Sequence, residues 1–71
     1  MNATWIVFSK KATPEQYDGV VKILTIYGYG LSGNEIERQV VKGGKPVVLP
    51  SDAHSELLKE GCVLSIEERP A

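Results

Sequence analysis

The sequence predicts an α+β domain, a four-stranded antiparallel sheet with two helices on one face. Three observations carry this. The stretch 44–69 reads as an apolar strand, a capped helix, a glycine stop and a second apolar strand. The first half reads as a longer version of the same plan. Gly43-Gly44 stands between two strand-like runs, where a two-residue hairpin belongs.

Each element follows from its residues. Residues 4–9 (Thr4-Trp5-Ile6-Val7-Phe8-Ser9) are β-branched and aromatic and apolar on both faces, which suits a central strand. Thr13-Pro14-Glu15-Gln16 is a helix start: a capping threonine, a proline at the first position, a glutamine three residues on and a favourable negative charge. Tyr17, Val20, Val21, Leu24 and Tyr27 recur at helical spacing, and Ile23 and Ile26 widen the stripe. Gly28 supplies a left-handed stop. Residues 29–34 read as a turn segment. Residues 35–42 alternate Ile36, Arg38 and Val40 against Glu37, Gln39 and Val41, so one face is buried and the other wet. A hairpin at Gly43-Gly44 puts Val40 opposite Val47 and Arg38 opposite Leu49. Ser51 is the expected cap of the second helix, with Ala53, Leu57 and Leu58 inward and Gly61 ending it. Cys62, Leu64 and Ile66 then alternate with Val63, Ser65 and Glu67. Two interleaved right-handed strand–helix–strand units make a ferredoxin-like βαββαβ arrangement.

The totals narrow the function. Seventy-one residues make one domain, 1–71, near the lower limit for an independent core. Eight Lys and Arg against nine Asp and Glu give a formal charge of −1. That balance argues against nucleic acid, which calls for a concentrated basic surface. Lys10-Lys11 and Lys42/Lys45 read as solvated strand ends. The single cysteine, Cys62, excludes an intrachain disulfide, and no long apolar run suggests a signal peptide or membrane span. A soluble cytoplasmic protein is expected.

Chemistry-bearing motifs are sparse. Gly28-Tyr29-Gly30-Leu31-Ser32-Gly33 matches G-x-G-x-x-G, but a helix precedes it and a strand follows, the reverse of a dinucleotide site. His54 and Cys62 are the only imidazole and thiol, too few for a structural metal site. Neither has an evident orienting partner for nucleophilic catalysis. Trp5, Tyr17 and Tyr27 read as core packing, with Tyr29 exposed. Glu67-Glu68 cannot act as one carboxylate pair, because adjacent strand residues point to opposite faces. No enzyme activity, cofactor or metal is expected.

Several pieces together resemble the subtilisin-propeptide type of peptidase inhibitor. Ile6-Val7-Phe8 and Thr13-Pro14-Glu15-Gln16 look like that family's opening strand and helix start. Gly44 followed by Val47-Val48-Leu49-Pro50 looks like its glycine, strand and Leu-Pro. Leu57 and Leu58 fall where its second helix has leucines, and Val63-Leu64-Ser65-Ile66-Glu67-Glu68 looks like its closing strand and acidic pair. In that family the sheet face packs on two surface helices of the protease, the acids cap those helices, and a C-terminal tail enters the cleft. The resemblance implies that Glu67 and Glu68 are the caps and that Arg69, Pro70 and Ala71 form a shortened tail. Val48 and Val63, with Val41 and Pro46, are the expected apolar part of an uncovered sheet face. The expected function is a non-enzymatic, protein-binding inhibitor. The alternative is a regulatory interaction module of the same fold, for instance phage-encoded, that binds another protein or forms a homodimer by sheet pairing.

Overall fold

The computed structural model describes residues 2–33 and 36–70. Its order is β1 (Asn2–Phe8), α1 (Pro14–Ile26), β2 (Gly30–Gly33), β3 (Glu37–Lys42), β4 (Lys45–Pro46), α2 (Ser51–Leu58) and β5 (Val63–Pro70). The apolar first strand takes a central place. β1 pairs antiparallel with β3 on one side and β5 on the other, in the sheet order β2-β3-β1-β5, with β4 paired to β3. Alternation then divides its side chains. Thr4, Ile6 and Phe8 are buried, while Trp5 and Val7 are half-buried on the opposite face. Ile6 and Phe8 share one core with Val20 and Leu24 of α1 and Ala53 and Leu57 of α2. Both helices therefore cover one face of the sheet and leave the other free of helices. The result is an α+β domain compatible with a ferredoxin-like fold, with five strands where four were expected.

The first helix forms as its residues dictate. Thr13 Oγ1 accepts the Gln16 N–H at 3.2 Å, and Gln16 Oε1 accepts the Thr13 N–H at 3.0 Å, a closed capping box. At the other end Gly28 has φ 81°, its N–H donates to the Thr25 carbonyl, and the Tyr29 N–H donates to that of Leu24. Those two bonds make a Schellman stop. Ile26 does not widen the buried stripe, being 82% exposed at the last turn.

Three expectations about the strands fail for identifiable reasons. The glycine-rich turn segment is instead strand β2, pairing over its whole length with β3, from Gly30 opposite Val41 to Gly33 opposite Arg38. Leu31 opposite Val40 packs against the core, and this tertiary pairing outweighs the weak strand tendency of glycine. Next, the strand expected after Gly44 shrinks to Lys45–Pro46. β1 occupies the same edge of β3 from Gln39 onward, so Arg38 faces Ile6 rather than Leu49. Val47 lies at the splice, its N–H donating to the Val40 carbonyl and its own carbonyl accepting from the Thr4 N–H.

Val63 is the third failure. It is buried in the core, not on the uncovered face. The β1–β5 register shifts between Val7 and Phe8, so Ser65 faces Val7 and Val63 faces Phe8. The bulge leaves Leu64 unpaired and 65% exposed, and it turns Val63 inward beside Cys62.

In α2, Pro50 is the cap and Ser51 the first helical residue, with no side-chain cap bond. Ala53 and Leu57, four residues apart, face inward, whereas Leu58 is half exposed. The expected strand start at Glu35 lies outside the described residues.

The hairpin turn gives a direct test. Gly43 and Gly44 have φ 61° and 80°, as a type I′ turn requires. Gly44→Ala is expected to cost about 1–2 kcal/mol in urea denaturation, the penalty of a left-handed residue with a Cβ. Gly43→Asn should stay within about 0.5 kcal/mol of the parent, since asparagine tolerates that region. Equal losses at both positions would contradict the turn assignment.

Candidate protein-binding face

The helix-free face is built from alternate residues of three strands. Trp5 sits at its centre, with Gln39 of β3 on one side and Glu67 of β5 on the other. Val7 lies in the next row, between Glu37 and Ser65. Arg69, opposite Ala3, reaches diagonally back across the indole. Its guanidinium carbon is 5.4 Å from the Trp5 ring centroid.

That guanidinium ties three strands together. Nη1 donates to Glu37 Oε2 at 3.2 Å and Nη2 to Glu37 Oε1 at 3.4 Å. Nη2 and Nε both donate to Glu67 Oε1, at 3.2 and 3.3 Å. Ser65 Oγ in turn donates to Glu67 Oε2 at 3.1 Å. The Glu37 bonds above all hold the Arg69 pKa above its ordinary value; desolvation opposes them, and the bonds to Glu67 add a lesser push upward. With 43% of the Glu37 side chain exposed, this network adds little to stability. Its effect is geometric: two carboxylates and a cation are fixed around an aromatic ring. The Trp5 Nε1–H beneath is buried and has no hydrogen-bond partner among the described residues.

The expected site residues separate on this geometry. Glu67 and Arg69 share the helix-free face. Glu68, opposite Thr4, points to the other side of the sheet. Arg69 and Pro70 belong to β5 and pair with Ala3 and Asn2. Val48 is 46% exposed in the segment after β4. Val41, opposite Pro46, is half-buried. Ala71 lies outside the described residues. Trp5, expected in the core, lies on this face instead, because it alternates with the buried Thr4 and Ile6, and Glu37 and Gln39 join it there. The signal was the alternation of β3, which marks Glu37 and Gln39 as the wet side, but only the register to β1 joins them to Trp5.

The remaining candidates fall elsewhere. The G-x-G-x-x-G run follows the C-terminal end of α1 and continues into β2, so a phosphate there would meet the negative end of the helix. Cys62 is buried, and burial raises its thiol pKa, which keeps it protonated and unreactive. Among the described residues no group of three His, Cys, Asp or Glu side chains could hold a metal, and no helix is long and apolar enough to cross a membrane. Tyr29 is half-buried rather than exposed, with Lys42 Nζ 5.6 Å from its ring centroid. No protein-family model matches the chain, and comparison with curated proteins and with solved structures finds no match.

Proposed function

We propose that this chain is a non-enzymatic protein-binding module of ferredoxin-like fold that docks its helix-free sheet face on a partner protein, with a subtilisin-like serine protease as the target to test. The observation that carries the reading is the Trp5–Arg69–Glu37–Glu67 cluster at the centre of that face. Aromatic rings and arginines are the residue types that dominate binding energy at interface centres, and ordering them beforehand lowers the entropy cost of docking. The protease target comes from the resemblance, in which the same face meets protease helices through acidic caps. Glu67 suits that role, since its side chain is 46% exposed and its bonded oxygens keep lone pairs that unpaired amides of a helix N-terminus could use. Self-association by edge pairing has less behind it. β5 is an edge strand, but its bulge at Leu64, its acids and Pro70 blunt that edge.

The test is a titration of the purified chain against a subtilisin-type protease, following peptide hydrolysis and survival of the chain together. Loss of hydrolysis with the chain intact is expected, along with a shift of the single indole N–H resonance of Trp5. Glu67→Lys should weaken inhibition by about tenfold or more. Absence of inhibition, or rapid digestion of the chain, would overturn the protease target. An unmoved indole resonance in an inhibited complex would overturn the docking face.

A further inference from the structure

On the helix-bearing side of the sheet, away from the Trp5 face, lies a cleft of about 430 Å³. It opens where the N-terminal turn of α1, the β1–α1 loop and the start of β3 meet. Phe8, Ala12, Pro14, Tyr17 and Ile36 give it an apolar lining. The Phe8 and Tyr17 rings stand 5.5 Å apart between centroids, tilted by 58°. Two cations, Lys10 and Arg38, also line it, and among the described residues none that lines it is acidic.

Arg38 is the unusual member. Its place on β3, opposite Ile6, directs it to the core side of the sheet, where the alternation of the strand calls for an apolar residue. Its guanidinium carbon sits 4.9 Å from the Tyr17 ring centroid. Among the described residues its buried Nε–H has no hydrogen-bond partner, and no carboxylate forms an ion pair with it. Arg69 offers the contrast within the same chain, since it too lies over an aromatic ring but is bound by two carboxylates. Among the described residues this guanidinium has an aromatic face beside it and no acceptor for its buried Nε–H, which such groups ordinarily have.

We propose that this cleft binds a carboxylate carried on an apolar body, with the carboxylate on Arg38 and the body against Phe8 and Tyr17. A planar carboxylate matches the arginine fork. Lys10 at the cleft adds attraction without geometry, and the positive end of the α1 dipole acts in the same sense. The cleft volume falls within the range of small-molecule sites, which favours a group the size of one aromatic or branched residue. A free organic acid and the C-terminal residue of a peptide offer this same chemistry.

The test uses the ¹⁵N-labelled chain and follows the Arg38 Nε–H resonance. Four probes are added: 3-phenylpropanoate, its amide, the peptide Gly-Gly-Phe with a free C-terminus, and that peptide amidated. Both acids are expected to shift the Arg38 signal saturably, with each amide weaker by about tenfold or more. Tighter binding of the peptide acid would identify a chain terminus as the ligand, and tighter binding of the free acid a small molecule. Lys10→Gln, on an exposed loop, should weaken the acids severalfold with the rest of the spectrum unchanged. Arg38→Gln should abolish the response of the Phe8 and Tyr17 ring signals. An Arg38 resonance that ignores both acids at millimolar concentration, or that answers acid and amide alike, would overturn the proposal.

Discussion

Leu57→Ala is expected to lower the melting temperature by at least about 10 °C, and to leave a substantial unfolded fraction at physiological temperature. Leu57 is fully buried and is one of only two buried residues on α2. The helix has eight residues and no side-chain cap bond, so it cannot persist through its own backbone. What holds it is the contact of Leu57 and Ala53 with the shared core, helped at the rim by the Tyr27 hydroxyl, which donates to Glu56 Oε2 at 3.0 Å. Removing a buried leucine costs about 2–5 kcal/mol. A domain of this size has a total stability of about 4–11 kcal/mol. Loss of α2 would also uncover Val63 and Cys62 beneath it, so the transition should stay cooperative. Leu57→Met, which conserves volume, should cost less than about 1.5 kcal/mol and serves as the control. A loss below about 1 kcal/mol for Leu57→Ala, read from thermal and urea unfolding, would mean that α2 is not anchored as described.

The elements that residues announce locally were legible in the sequence. The capping box of Thr13 and Gln16, the stop at Gly28 and the turn at Gly43-Gly44 all rest on contacts within a few residues. The strands that were misread depend on distant partners. Gly30-Leu31-Ser32-Gly33 has little strand tendency of its own and becomes β2 because β3 pairs with it. Val47-Val48-Leu49 has strong strand tendency, yet leaves the sheet because β1 already holds that edge of β3. A single bulge at Leu64 exchanges the faces of Val63 and Leu64, and no local pattern marks it. The same limit explains the candidate site. Glu67 was expected beside Glu68, and Arg69 in a tail, but β5 runs on through Arg69, and strand alternation puts Glu67 and Arg69 on one face. Their link to Glu37 and Trp5 spans more than thirty positions and exists only through the register of three strands.

Thr4→Val is the substitution that tests where those strands are joined, and it is expected to cost about 1–3 kcal/mol although valine matches threonine in shape. Thr4 is the only buried polar side chain among the described residues, 2% exposed. Its Oγ1 accepts the Leu49 N–H at 2.7 Å, and its own N–H donates to the Val47 carbonyl at 3.0 Å. Those bonds fasten the departing chain to β1 as it leaves β3 for α2. Valine would leave the Leu49 amide buried without an acceptor, and that desolvation is not recovered elsewhere. Thr4→Ser keeps the acceptor and loses only a methyl group, about 1 kcal/mol of burial at most. Strand tendency alone would rank valine at least as favourable as threonine and serine below both. The hydrogen-bond account gives the opposite order of the two variants, with serine retaining more stability than valine. Amide exchange reports the same point locally, because the Leu49 N–H should lose protection in Thr4→Val and keep most of it in Thr4→Ser. If valine proves the more stable variant with Leu49 still protected, another group satisfies that amide, and the splice does not depend on Thr4.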